Sequence, residues 1–120
     1  MDYIQLGVSE CRFADIIWEH EPVTSTELVK LANQELEWKR TTTHTVIRRL
    51  CDKGLFVNEN GVVKSLIKKE QFYSLQSHKY VENSFGGSLP AFVAAFTTGH
   101  KITIDEAEAL KKLIDQAKEE

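Results

Sequence analysis

The segment from Lys39 to Lys69 constrains the fold most, because a helical pattern in it is followed directly by a strand–turn–strand pattern. Apolar residues recur at helical spacing from Val46 to Cys51. Gly54 follows them as a residue that favours the left-handed end of a helix. The next residues alternate in polarity, turn at Asn60-Gly61 and then return as a second strand. The segment therefore predicts a helix that leads straight into a β-hairpin.

Charge is distributed unevenly along the chain. Residues 39–69 carry eight Lys or Arg against two Asp or Glu, whereas residues 1–38 carry two against eight. The whole chain has a formal net charge of −3, so its overall charge does not indicate a polyanionic partner. The local excess of Lys and Arg does indicate a polyanionic partner, because a clustered basic patch is the electrostatic signature of nucleic-acid binding.

Two helices are predicted before the basic segment. Ser9 is expected to cap the first, which ends near His20 because the residue before a proline leaves the helical region. Thr24 and Glu27 have the spacing of a capping box for the second, which runs to about Glu35. With the third helix and the hairpin, this order is a winged helix-turn-helix. The predicted fold class is therefore mainly α with a small β-hairpin.

The polar face of the third helix carries side chains suited to DNA. Threonine offers a hydroxyl and a methyl to base edges, while arginine suits phosphates or guanine. The alternative is that the threonines only cap the helix and that the basic face is merely solvated. The order of the helices and the presence of the hairpin favour DNA. The predicted DNA-binding residues are Lys39, Arg40, Thr41, Thr42, His44, Thr45, Arg48, Arg49, Lys53 and Lys64.

After residue 70 the pattern predicts helices alone. One helix covers about 72–84, a second is capped by Ser88, and a third opens with a capping box from Thr103 to Glu106. Three short amphipathic helices make little core by themselves, so their apolar faces are expected to meet a second copy of the chain. We therefore predict a winged-helix DNA-binding domain at 1–69 and a helical dimerisation domain at 70–120. The predicted dimerisation residues are Tyr80, Phe85, Leu89, Phe92, Val93, Phe96, Leu110, Leu113 and Ile114.

The sequence contains no motif that indicates catalysis, a metal or a cofactor. The four histidines are scattered, and no glycine-rich phosphate loop or nucleophile motif occurs. Cys11 and Cys51 lack CxxC spacing and are expected to be reduced, buried thiols. No apolar run approaches the roughly 20 residues of a membrane helix. A cytoplasmic protein that is not an enzyme is therefore expected.

The basic segment also resembles a known family. Trp38, the pair Thr42 and Thr45, and the later Lys53-Gly54-Leu55 are similar in order and spacing to the penicillinase-repressor family of bacterial winged-helix regulators. Phe85-Gly86-Gly87-Ser88-Leu89 resembles that family too, and the similarity runs over essentially the whole chain. The resemblance implies a homodimer that occupies a palindromic operator in double-stranded DNA and represses transcription, as beta-lactamase and methicillin-resistance repressors do. It also implies that Thr42, Thr45 and Arg49 face DNA.

The same resemblance also bears on how the repressor would be inactivated. Family repressors of antibiotic resistance are inactivated when a membrane sensor triggers cleavage of an Asn-Phe bond. The matching pair here is Ala95-Phe96, which makes this the candidate cleavage bond and a membrane sensor or protease system a candidate partner. Phe96 also lies in the apolar stripe of its predicted helix, and core packing is its expected role. Thr41 and His44 also depart from the family's usual residues. The alternative function is a winged-helix protein-interaction module that does not bind DNA.

Overall fold

The computed structural model describes residues 4–119, which form six helices and three short strands. Three helices and all three strands come before residue 66, and the remainder is helical, as the sequence predicts. The elements are α1 (Val8–His20), β1 (Val23–Thr24), α2 (Ser25–Leu36), α3 (Arg40–Asp52), β2 (Phe56–Glu59), β3 (Val62–Ser65), α4 (Lys69–Phe85), α5 (Leu89–Thr97) and α6 (Ile104–Ala117).

Side-chain caps set the starts of the first two helices. The Thr24 hydroxyl accepts a hydrogen bond of 3.1 Å from the Glu27 N–H, which confirms the predicted cap of α2. The predicted cap of α1 is wrong, because Gly7 is the N-cap and Ser9 lies inside the helix. The Glu10 carboxylate accepts the Gly7 N–H at 3.1 Å, and this contact starts α1 earlier than Ser9 would.

The strands form one antiparallel sheet in the order β1-β3-β2. In the hairpin, Val57 lies opposite Lys64. Asn60 and Gly61 have φ angles of 55° and 86°, the left-handed values that a tight hairpin turn requires. The predicted hairpin is confirmed. Strand β1 was not predicted, because two residues are too few to show a periodic pattern. It is a strand only through its pairing with β3.

The core of the first part of the chain lies between the first three helices and the sheet. Trp38 packs against it, with its ring 5.1 Å from the ring of Phe13. Thr43 is fully buried, and its hydroxyl donates to the Lys39 carbonyl at 3.2 Å. The largest fully buried apolar side chains are Phe13, Ile17, Leu28, Leu50, Leu55, Phe56, Val63 and Phe72.

Trp18 joins the hairpin and α4 to this core, a role that sequence reasoning missed. Its indole N–H donates to the Ile67 carbonyl at 3.0 Å. Its ring lies 5.3 Å from Phe56 and 5.6 Å from Phe72. The contact to Phe72 gives the first turns of α4 an apolar partner. Helix α4 accordingly begins at Lys69, three residues before the predicted start.

The described chain forms two compact units, with the division between Lys79 and Tyr80. Phe72 is buried in the first unit, so the beginning of α4 belongs there. The predicted division into functions at 69/70 stays a prediction. In the second unit, the Ser88 hydroxyl accepts from the Ala91 N–H at 3.1 Å, which confirms the cap of α5. Thr103 and Glu106 form the capping box that was expected to open α6.

Candidate nucleic-acid interface

Helix α3 has one buried and one exposed face, and the exposed face holds most of the predicted DNA-binding residues. Thr43, Val46, Ile47 and Leu50 are buried, which fixes the rotation of the helix about its axis. Lys39, the N-cap residue, makes no side-chain cap, so it leaves the N–H groups of the first turn available to an anion. His44 is half-buried beside this row. The exposed row consists of Arg40, Thr41, Thr42, Thr45, Arg48 and Arg49.

The hydroxyl of Thr45 has a defined orientation. Its proton is donated to the Thr41 carbonyl at 2.9 Å, a bond back along the helix. Because the proton is used inside the helix, the oxygen presents lone pairs outward and acts as an acceptor. An acceptor with an adjacent methyl suits an amino group on a base edge or the methyl of thymine.

Three of the predicted basic residues are engaged by acidic partners. Lys53 donates to the Gln5 carbonyl at 2.9 Å and lies 3.4 Å from the Glu10 carboxylate. Arg49 forms a looser ion pair with the same carboxylate, at 3.7 Å. Lys64, on β3, pairs with Glu59 at 3.2 Å. The basic residues near α3 and the hairpin therefore differ in how freely they face solvent.

Hydrogen bonds fix the tip of the hairpin beside the start of α2. The Asn58 side-chain oxygen accepts the Gly61 N–H at 2.9 Å, which closes the turn. The Ser25 N–H donates to the Gly61 carbonyl at 2.8 Å. Since β3 carries Lys64, these bonds determine where this lysine stands relative to α2.

Glu21 holds the other end of β3 and was missed by sequence reasoning. Its carboxylate accepts the backbone N–H of Ser65 at 2.8 Å and the Ser65 hydroxyl at 2.7 Å. Lys68 lies 3.7 Å away. Partial burial by itself would raise the pKa of Glu21, but the Ser65 hydrogen bonds and the Lys68 charge outweigh it, so the pKa lies below its ordinary value. No local pattern points to this contact, because its partners are 44 residues apart in sequence.

The lowered pKa of Glu21 makes an acid-dependent effect testable. Glu21→Gln should lower the free energy of unfolding at neutral pH by about 1–2 kcal/mol, since the Ser65 hydrogen bonds are then accepted by a neutral amide and the ion pair with Lys68 is lost. A carboxylate whose pKa is lowered on folding contributes stability above its unfolded pKa, and this contribution disappears as pH falls through the folded pKa. The difference between the two proteins in urea unfolding should therefore be present at pH 7 and shrink below about pH 4.5. A difference that persists undiminished in acid would contradict the assignment.

The second unit exposes most of the predicted dimerisation residues. Within residues 80–119 no side chain is fully buried. Tyr80, Phe85 and Phe92 contact one another edge to face, with ring centroids 5.5 to 6.0 Å apart. Helices α5 and α6 border an apolar groove of about 400 Å³. The predicted dimerisation residues that are exposed are Tyr80, Leu89, Val93, Phe96, Leu110, Leu113 and Ile114.

The candidate cleavage bond Ala95-Phe96 lies inside α5. Phe96 is 62% exposed, so the expected role of this side chain in core packing is wrong for a single chain. Its ring is 6.2 Å from that of Phe92, at the edge of the aromatic cluster. Phe96 therefore contributes to the exposed apolar face of the second unit.

Other kinds of site find little support between residues 4 and 119. This part of the chain holds no group of three or more His, Cys, Asp or Glu placed to bind a metal. None of its helices has the length and apolar character needed to cross a membrane. Cys11 and Cys51 are free and only partly buried. Burial raises the pKa of both thiols, which favours their protonated form at neutral pH.

Comparison with known proteins identifies the family of the chain. The penicillinase repressor family matches residues 6–116. The penicillinase repressor of Bacillus licheniformis is 23% identical over 118 residues, which cover 95% of this chain and 92% of that protein. The methicillin resistance regulatory protein MecI of Mammaliicoccus sciuri is 20% identical over 116 residues, covering 93% and 94%. Because the family match extends over nearly the whole sequence, the chain belongs to the penicillinase repressor family.

Proposed function

We propose that this protein is a dimeric transcriptional repressor that binds a palindromic operator in double-stranded DNA. The observation that carries the proposal is the exposed row of threonines and arginines on α3, with the Lys64 hairpin beside it. Membership of a repressor family supports the regulatory role. The names of the two relatives, a penicillinase repressor and a methicillin resistance regulator, suggest control of antibiotic-resistance genes.

In the proposed complex, α3 lies in the major groove, which is wide enough for one helix. Thr42 and Thr45 then read base edges near the start of the helix. Arg49 follows one turn after Thr45 and reaches a phosphate or a guanine. The residues proposed to bind the flanking phosphates or bases are Lys39, Arg40, Thr41, His44, Arg48 and Lys64. Lys53, which was predicted with them, is engaged by the Gln5 carbonyl and the Glu10 carboxylate instead.

The second unit supports the proposed dimer. An exposed apolar face costs about 25 cal/mol for each square ångström of apolar area left in water, so a second copy that covers it gains stability. Two copies related by a two-fold axis present two α3 helices to DNA, which requires an operator of two inverted half-sites. Cleavage at Ala95-Phe96 would divide this face between two fragments. A membrane sensor and protease acting there would release the operator by weakening the dimer.

Selection from a pool of random duplexes with the purified full-length protein tests the proposal. The expected result is enrichment of an inverted repeat, with half-sites about one helical turn or a multiple of it apart. Log affinity for that duplex should fall linearly with log salt, with a slope of about 0.9 for each neutralised phosphate. If no sequence is enriched and association is insensitive to salt, the alternative of a protein-interaction module is favoured instead.

A further inference from the structure

The Glu10 carboxylate connects the start of α1 with the end of α3. It accepts the Gly7 N–H at 3.1 Å and lies 3.4 Å from the Lys53 ammonium and 3.7 Å from the Arg49 guanidinium. Its side chain is only 15% exposed, so these contacts form at the edge of the core. Partial burial would raise the pKa of Glu10, but the Gly7 hydrogen bond and the two cations lower it overall, which keeps the carboxylate charged at neutral pH.

The two cations are held to different degrees. Lys53 donates to the Gln5 carbonyl at 2.9 Å and lies 3.4 Å from both Glu10 oxygens, so its ammonium is held by two partners within the protein. Its side chain is 31% exposed. Arg49 is 53% exposed, and its distance of 3.7 Å to Glu10 exceeds that of a hydrogen bond. Lys53 is therefore directed toward α1, whereas Arg49 keeps donors free for another anion.

We propose that Glu10 is a positioning residue that competes with DNA phosphate for the cations at the end of α3, and thereby limits affinity for DNA of any sequence. The inference rests on the proposed function. A carboxylate and a phosphate oxygen satisfy a guanidinium or an ammonium in the same way. When the protein binds DNA, Arg49 exchanges one anion for another and gains less than a free arginine would. Lys53 stays with Glu10 and neutralises no phosphate.

This competition bears on specificity. Contacts to phosphate strengthen binding to all sequences alike, because they carry no direct information about bases. The threonines that are proposed to read bases stand near the start of α3, whereas Glu10 acts at its end. A carboxylate at this place therefore weakens sequence-independent binding and leaves the base-reading turn of α3 untouched.

The test is the salt dependence of binding to a duplex of random sequence, measured for three full-length proteins. Glu10→Gln removes the charge and keeps an oxygen that can accept the Gly7 N–H, so the cap of α1 is retained. We expect it to bind about threefold to tenfold more tightly than wild type near 0.05 M salt, with a slope steeper by about one per protomer. Glu108→Gln is the matched control, since it removes the same charge from an exposed pair with Lys111 in α6. It should behave as wild type.

An unchanged or shallower slope for a folded Glu10→Gln protein overturns the inference. If that variant does not fold, Lys53→Met tests the same inference, because it leaves Glu10 and its hydrogen bond to Gly7 in place. Its slope should equal that of wild type, whereas Lys39→Met should lose about 0.9 per protomer. A loss of that size in Lys53→Met would also overturn the inference. Wild type that shows no salt-dependent binding to any duplex refutes the proposed function itself, and with it this inference.

Discussion

Replacing Thr45 and Arg49 together by alanine should weaken binding to the selected operator by at least about thirtyfold. The lost Thr45 base contact costs about 1–3 kcal/mol, and the lost Arg49 contact to a phosphate or a guanine costs about as much, so the two cost about 2–6 kcal/mol in total. Thr45 contributes an outward acceptor and a methyl, because its proton is already donated to the Thr41 carbonyl. Arg49 contributes free donors on the exposed face of α3. Both groups disappear in the variant, while the buried face that orients the helix is unchanged.

Equilibrium titration of labelled operator DNA measures this effect. The matched control is Thr98→Ala with Lys112→Ala, outside α3. Thr98 also donates its hydroxyl to a carbonyl four residues earlier, at 2.8 Å, and Lys112 supplies one positive charge. Thermal unfolding of each variant shows whether loss of the Arg49 pair with Glu10 has affected the fold. Equal affinities for the double variant and wild type would refute the assignment of α3 as the reading helix.

Introducing charge into the apolar face of the second unit should produce monomers. Leu113 and Ile114 are each 60% exposed in the single chain, so Leu113→Glu with Ile114→Glu should leave its fold intact. In a dimer that covers this face, each carboxylate would be buried without a partner, which costs several kcal/mol per ion. The substitutions occur twice in a symmetric dimer. We therefore expect monomers at micromolar concentration. We also expect operator affinity to fall by at least about a hundredfold, because two separate monomers lack the gain in effective concentration that links the two half-sites in a dimer.

Sedimentation or light scattering measures the mass of the variant, and circular dichroism reports its helix content. Lys112→Glu is the matched control, because it changes the net charge by the same amount on the same helix. Its position lies on the opposite side of α6 from the apolar stripe, as the 100° spacing of helical residues dictates. This control should remain dimeric. A Leu113→Glu, Ile114→Glu protein that remains a dimer at micromolar concentration would exclude this face as the interface.

Much of α3 and the hairpin could be predicted because the relevant information is local. A period of 3.6 residues assigns each side chain to a face, and it predicts the apolar stripe in which Val46, Ile47 and Leu50 are buried. The left-handed turn at Asn60-Gly61 follows from the backbone preference of those two residues. The caps at Thr24, Ser88 and Thr103 each join groups only three residues apart.

Other features could not be predicted, since they depend on contacts between distant parts of the chain. The indole of Trp18 donates to the Ile67 carbonyl 49 residues later, just before α4 begins at Lys69. Strand β1 exists only as a partner of β3. The sequence also offered Ser9 as the cap of α1, but Glu10 occupies the Gly7 N–H and moves the start of the helix.

The sequence by itself determined which residues of α3 face outward, that a hairpin follows, and to which family the chain is similar. Periodicity, turn preferences and the order of motifs are enough for these conclusions. Only the tertiary structure decided which of the basic side chains are paired with a carboxylate. Glu10 contacts Lys53 across 43 residues of sequence, and it also pairs with Arg49. The reason is physical. The period of a helix determines the face on which a residue lies, whereas the residue's ion-pair partners depend on which other segments pack beside that helix.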